Sequence, residues 1–240
     1  MSIYIYGKKA CEEALKARTL QKVFVTEVVL NKNYREILER LDVPYEIKTR
    51  EQLDKMSAHQ VHQGIIGIVK DYVYYRLDDL LKNIDKKNDA LLLILDGILD
   101  PYNLGAIFRS AAAFNVDGVI LRDDRQAPIT PVVYKVSTGA MSHLKICQVK
   151  NINTTLDILK DHGFWSYATS DHAIDSMYDL DYNGKVALIV GNEGKGISNL
   201  TLKKADFCVK IPLDGPIPCL NVTSATSIFL AHISHILKSH

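Results

Sequence analysis

The chain has 240 residues, with 29 Lys+Arg against 28 Asp+Glu for a net charge of +1, 47% hydrophobic residues and 24% charged ones. That balance excludes a wholly disordered chain and a fibrous repeat, and the length can bury a sizeable core in one large or two small domains without disulfide or metal staples. Its longest apolar runs, such as Ala90 to Leu95 and Val186 to Val190, fall far short of the roughly 20 residues that a membrane-spanning helix requires. Met1 to Lys9 lacks an apolar signal core, so a cytoplasmic location is expected.

In chain order, Gly7 to Ala17 reads as a helix, Lys22 to Thr26 as a strand, Tyr34 to Leu41 as a helix, Pro44 to Ile47 as a strand, Glu51 to Met56 as a helix and Gly64 to Val69 as a strand. Together they predict a small α/β unit. Tyr72 to Asn88 is polar and ends in a run too charged for a core, which places a linker at 73–89 between domains spanning 1–72 and 90–240. Beyond it, strand-length runs recur at Leu91 to Leu95, Val119 to Leu121, Ile146 to Val149, Trp165 to Ala168, Val186 to Val190 and Phe207 to Ile211. Runs that are apolar throughout instead of alternating, such as Leu91 to Leu95 and Val186 to Val190, suit strands buried on both faces and predict a mostly parallel sheet covered by helices. Asn221 to Lys238 repeats apolar residues at helical spacing and predicts a closing helix.

Ligands of open parallel sheets bind beyond the carboxyl ends of the strands, so the loops after the buried runs carry the chemistry. The first, Leu95 to Ser110, holds the turn signal Asp100-Pro101, then Asn103 as a candidate helix cap and Arg109 about two turns on. Such an arginine can fork onto a phosphate or carboxylate, or can simply lie on a surface helix. The second, Val190 to Ser198, has three glycines, Gly191, Gly194 and Gly196, around Glu193. These let the backbone approach a ligand and expose amides. Its order, G-x-x-G-x-G, is not the dinucleotide fingerprint, whereas a plain connecting loop would not predict the glutamate. The third, Ile211 to Thr223, is stiffened by Pro212, Pro216 and Pro218 and delivers Asn221 and Thr223 to a helix start.

Taken in order, LDGILDPYNLGAIFRSAAAFNVDGVIL, LIVGNEGKGIS and IPLDGPIPCLNVTSATSIFLAHI resemble the three motifs of the SpoU, or TrmH-like, branch of the SPOUT RNA methyltransferases, over most of Leu91 to His240. Lys135 to Ala140 resembles the family segment K-x-S-x-G-A. Tyr6-Gly7 and His62-Gln63-Gly64-Ile65 look like the substrate-binding domain, similar to ribosomal protein L30e, of the bacterial 23S rRNA guanosine 2′-O-methyltransferases. The resemblance implies an α/β SPOUT domain with a deep trefoil knot, a homodimer, and S-adenosylmethionine held largely through backbone groups. Carried over by position, cofactor contacts fall at Gly191, Ile211 and Leu220, with Thr169, Val190, Asn192 and Cys219 as neighbours. Arg109 is implied to bind the flanking phosphate and activate the ribose hydroxyl, Asn103 and Glu193 to orient it, and Asn221 to position substrate or cofactor. No metal is implied, because the sulfonium itself drives the transfer. Cys219 stands where the family usually has Ser.

The implied activity is 2′-O-ribose methylation of RNA, on a guanosine of 23S rRNA, with tRNA as the other substrate and a silent RNA-binding assembly factor as the non-enzymatic alternative. The four cysteines, Cys11, Cys147, Cys208 and Cys219, contain no C-x-x-C pair and indicate neither a zinc site nor disulfides. His59-x-x-His62 and His232-x-x-His235 lack a third ligand nearby and read as surface histidines. Because the net charge is near zero, any basic surface must be local. Lys8, Lys9, Lys16 and Arg18, with Lys22, can form one that engages an RNA backbone, or can be a solvated helix face.

Overall fold

The computed structural model describes residues 3–16, 18–69 and 72–238. Its elements begin with β1 (Ile3–Tyr6), α1 (Lys8–Lys16), β2 (Leu20–Val25), α2 (Lys32–Arg40), β3 (Tyr45–Ile47), α3 (Arg50–Met56), β4 (Ile65–Val69), α4 (Leu77–Ile84), β5 (Ala90–Asp96), α5 (Pro101–Ala113) and β6 (Gly118–Arg122). They continue with α6 (Pro131–Ser137), a short 3-10 turn at Ala140–Ser142, β7 (Ile146–Val149), α7 (Ile152–Asp161), β8 (Phe164–Thr169), β9 (Asp175–Ser176), β10 (Lys185–Gly191), α8 (Asn199–Lys204), β11 (Phe207–Lys210) and α9 (Val222–Lys238). The first helix was expected to run through Ala17, which lies outside the described residues. The chain divides into two compact units, Met1–Val73 with Ile129–His143, and Tyr74–Pro128 with Leu144–His240.

The first unit has a four-stranded sheet in the order β1-β4-β2-β3, antiparallel except for the β2–β3 pair. Ile5, Cys11, Leu15, Val23, Val25, Leu38 and Ile65 form its main core between the sheet and helices α1 and α2. Local chemistry sets the helix starts. The Asn31 side chain accepts the Tyr34 amide at the head of α2, and Thr49 with Gln52 closes a reciprocal capping box at α3. His62 is buried, not on the surface as its sequence context suggested. Its Nδ1 accepts the Gly64 amide at 3.0 Å, which leaves Nε2–H to donate to Asp54 at 2.8 Å, so this histidine fixes the turn before β4. The segment 129–143 belongs to the same unit, and Tyr134 of α6 packs against its core. A Cβ on Gly139, whose φ is +92°, would stand 2.3 Å from Cβ of Glu13, so only glycine allows this approach to α1.

The second unit is a seven-stranded sheet, β7-β6-β5-β10-β8-β11-β9, in which every described pairing is parallel. Strands β5 and β10 lie at its centre and pair residue for residue from Lys185–Ala90 to Gly191–Asp96, so two of the chemically suggestive loops leave the sheet side by side. The whole of β5 is buried, as continuous apolar runs in a covered parallel sheet require. Helix α4 falls within the span read as a linker, yet Leu80, Leu81 and Ile84 are at most 2% exposed and join α7 in the core on one sheet face. Asp78, Asp79, Lys82 and Asn83 occupy the exposed side. The charges in this segment thus mark the outer face of an amphipathic helix, and the charged residues 85–89 form the exposed turn after it. Replacing Leu80 by Ala should therefore lower the unfolding free energy by about 2–5 kcal/mol, read by chemical denaturation. A segment that only connects two domains would lose almost nothing.

Candidate active site

Helix α5 starts one turn earlier than Asn103 as a cap would place it. Asp100 is the N-cap, its carboxylate accepting the Tyr102 amide at 3.0 Å, and Pro101 fills the first helical position, where no amide donor is needed. Asn103 is consequently the third helical residue, its side chain free to leave the helix, and Arg109 sits in the third turn. At 100° per residue the six-residue step turns Arg109 about 240° from Asn103. Arg109 is exposed, and no hydrogen bond joins it to Asn103 or Glu193 within the chain.

The glycine-rich loop after β10 closes on itself. Asn192 and Gly196 exchange backbone hydrogen bonds at 3.2 and 2.8 Å, and a Cβ on Gly191 would lie 2.4 Å from the Gly196 carbonyl carbon. The Asn192 side chain then does three things. Its Nδ2 donates to the Gly97 carbonyl at 2.8 Å, and its Oδ1 accepts the amides of Gly194 and Lys195 at 2.8 and 3.1 Å. The amides of Gly194 and Gly196, two of the three glycines expected to expose theirs, are therefore already satisfied. What the loop presents is the Glu193 side chain, whose Oε1 accepts Asn103 Nδ2 at 2.7 Å.

The third loop behaves differently. From Leu213 to Leu220 the chain is exposed and makes no backbone–backbone hydrogen bond among the described residues. Pro216 and Pro218 within it, with Pro212 just before, hold it extended without a ladder, which leaves amides and carbonyls available to a ligand. Ile211 follows β11 directly, while Cys219 and Leu220 lead into α9. Asn221 caps α9, its Oδ1 accepting the Thr223 amide at 2.8 Å, and its Nδ2 reaches Asn103 Oδ1 at 3.4 Å. Thr223 Oγ1 donates to the same oxygen at 3.2 Å. Thr169, at the end of β8, donates its hydroxyl to the Ile189 carbonyl at 3.1 Å, which ties the strand carrying it to the one that ends in Val190 and Gly191.

Glu193, Asn103, Asn221 and Thr223 thus form one hydrogen-bonded chain bringing the three loops together. A parallel link, Ser110 to Ser227 at 2.8 Å, fastens α5 to α9 seven residues further along α5. Sequence reasoning missed Thr223 as more than a cap, and missed Ser110 and Ser227 altogether. The signal was present in the spacing, since Asn103 and Ser110 are seven apart and Thr223 and Ser227 four apart, each pair on one helix face. Among the described residues no group of three His, Cys, Asp or Glu side chains is placed to hold a metal.

Residues 90–231 match the profile of the SpoU rRNA methylase family, over more than half of the chain. The chain belongs to that family. Residues 4–75 match a second profile, that of RNA 2′-O-ribose methyltransferase substrate binding. Among relatives, Bacillus subtilis YacO, assigned by its name to the TrmH family of tRNA/rRNA methyltransferases, is 34% identical over 96% of this chain and 94% of its own. A Staphylococcus aureus protein of the same assignment is 36% identical over 95% and 94%. Among solved structures, the SpoU methyltransferase AviRb from Streptomyces viridochromogenes, in complex with the cofactor AdoMet, superposes with a TM-score of 0.83 at 22% identity, covering 98% of this chain and 89% of that one. An RNA 2′-O-ribose methyltransferase does so with 0.78 at 26%, covering 98% and 88%. This protein is accordingly a SpoU-type RNA methyltransferase of the tRNA/rRNA, TrmH-like kind, and no described helix is long and apolar enough to cross a membrane.

Because Asn103 is the shared partner of Glu193, Asn221 and Thr223, Asn103→Leu should uncouple all three loops at once. We expect methyl transfer to fall by about 10²-fold, the scale of a misplaced reacting group. The melting temperature should move little, since Asn103 is not in the core. A transfer rate within twofold of the parent would contradict this assignment.

Proposed function

We propose that the enzyme methylates the ribose 2′-hydroxyl of a guanosine in 23S rRNA, using S-adenosylmethionine and acting as a homodimer. The observation that carries this reading is the convergence of Asn103, Glu193 and Asn221 at the carboxyl ends of β5 and β10, beside a loop whose backbone groups are unspent. That loop suits a cofactor held through amides and carbonyls, and Gly191, Ile211 and Leu220, with Thr169, Val190, Asn192 and Cys219 around them, would hold it. When bound, S-adenosylmethionine supplies an electrophilic methyl on a sulfonium.

The chain's own residues do the rest. A ribose hydroxyl is a weak acid, so its oxygen must be placed in line and its developing negative charge met. Arg109 is the unspent cation for that task. As a permanent guanidinium it is a poor base but a strong donor, so it grips the flanking phosphate and stabilises the forming alkoxide while the hydroxyl proton passes to solvent water. Asn103 and Glu193 hold the loop from which the ribose is addressed, and Asn221 fixes the start of α9 against it. Ribosomal RNA is favoured over tRNA by the N-terminal unit, which matches a substrate-binding profile. The Aquifex aeolicus TrmH/SpoU tRNA modifying enzyme covers only 68% of this chain.

The deciding experiment incubates the protein with methyl-labelled S-adenosylmethionine and unmodified ribosomal RNA or tRNA, then digests each RNA to nucleosides. Label is expected in 2′-O-methylguanosine from the large ribosomal RNA, and Arg109→Ala should abolish it. Label confined to tRNA would overturn the substrate, and no label in any RNA or ribosomal particle would overturn the activity. Cys219 is exposed and its thiol makes no hydrogen bond among the described residues, so Cys219→Ser should leave the rate within about tenfold. A collapse of turnover in that variant would assign the thiol a role.

A further inference from the structure

The first unit contains a groove of about 610 Å³ between α1 and α2. Leu15 and Ile65, both buried, form its floor with the half-buried Ile37 and Leu41. Lys8, Lys16, Arg18 and Arg40 stand around it as exposed cations, against Glu12 as the one lining carboxylate. Lys16 is paired with Glu13 at 2.7 Å, but Lys8, Arg18 and Arg40 have no ion-pair partner among the described residues. Tyr34 lines the same groove, and its hydroxyl is buried without a hydrogen-bond partner among the described residues, a cost that an incoming polar group would relieve. The basic run singled out in the sequence is thus divided. Lys8, Lys16 and Arg18 gather here with Arg40 from α2, whereas Lys22 lies on β2, paired with Glu46 at 3.1 Å.

An apolar floor ringed by unpaired cations matches a flat base flanked by phosphates. A duplex presents its phosphates outside and its bases stacked within, so it can offer the rim only. An unpaired nucleotide can fill both parts, its base against the aliphatic floor and its neighbouring phosphates on the guanidinium groups. We propose that this groove seats an unpaired nucleotide of the RNA substrate, with Arg18, Arg40 and Lys8 taking the adjacent phosphates. The proposal rests on RNA being the substrate, and it adds a second point of contact outside the methyl-transfer site.

The test compares the full-length protein, its Arg18→Ala/Arg40→Ala variant and an Ile37→Trp variant in binding a labelled single-stranded RNA of mixed sequence and its duplex, across a salt series. The parent should prefer the single strand. Loss of the two arginines should weaken that binding at least tenfold and lower the slope of log Kd against log salt by about 1.4, some 0.7 for each cation on a single strand. Ile37→Trp, which fills the floor, should weaken binding without changing the slope. Unchanged affinity and slope in the double arginine variant, or a parent that binds duplex as tightly as single strand, would overturn the proposal. Since Arg18 and Arg40 are exposed, the double variant should fold even if Ile37→Trp does not. S-adenosylmethionine binding should be equal in parent and double variant. If the parent binds RNA but methylates none, the proposed activity fails while the groove is still judged by the arginine variant alone.

Discussion

The geometry of the site hangs on one primary amide. Through Nδ2 the Asn192 side chain grips the carbonyl of Gly97 in the loop after β5, and through Oδ1 it holds two amides of its own loop after β10. Two central strands lying in register would otherwise release their loops independently. With Asn192 between them, Glu193 is delivered to Asn103 at hydrogen-bonding distance, and the helix that starts with Asp100-Pro101 inherits a fixed orientation to the glycine-rich turn. An aspartate in its place would lack the donor that reaches Gly97, and an alanine would leave all three backbone groups without their present partner. The absence of a side chain at Gly191 serves the same end by letting the loop fold back against its own strand.

Much of this was legible in the sequence because the second unit obeys a simple rule. A strand covered on both sides must be apolar throughout, and β5, β6 and β10 each appeared as such a run, within a residue at either end, while β7, β8 and β11 were found as strand-length runs although they carry Gln148, Ser166 and Lys210. The loops that follow two of them could be recognised by residue types that a plain connection does not need. The parts that stayed hidden depend on contacts between distant segments. Charge concealed α4, because its apolar stripe of Leu80, Leu81 and Ile84 is set among exposed acidic and basic residues. Asn103 is a good capping residue, but Asp100 with Pro101 behind it is a better start, and only the three-dimensional partners Glu193 and Thr223 show what Asn103 does instead. Glycine density correctly marked a close backbone approach, but the approach is of the loop to itself. His62 could not be told from an exposed histidine until Asp54 and Gly64 were seen on either side of it.

In the proposed site, the loops after β10 and before α9 divide the work according to their stiffness. The turn after β10 is stiffened by the hydrogen bonds of the Asn192 side chain and by the Asn192–Gly196 backbone pair, so it can set a carboxylate in place with fewer amides left to offer. The proline-bearing stretch before α9 is held extended by ring constraints, and its backbone groups are open. One loop supplies a fixed side chain and the other an accessible main chain, a division suited to a substrate addressed by charge and a cofactor gripped by peptide groups.

The membership of residues 129–143 in the first unit bears on how the protein is made. The backbone leaves that unit after Val73, builds α4, β5, α5 and β6 of the second, and only then returns with α6 and the turn around Gly139 before leaving again. During synthesis the N-terminal unit must therefore wait, incomplete on the side where Tyr134 packs against its core, until more than half of the chain has emerged. Neither unit can be excised by a single cut, and a fragment ending at Val73 would show the translation machinery and its chaperones an apolar surface that the finished protein covers.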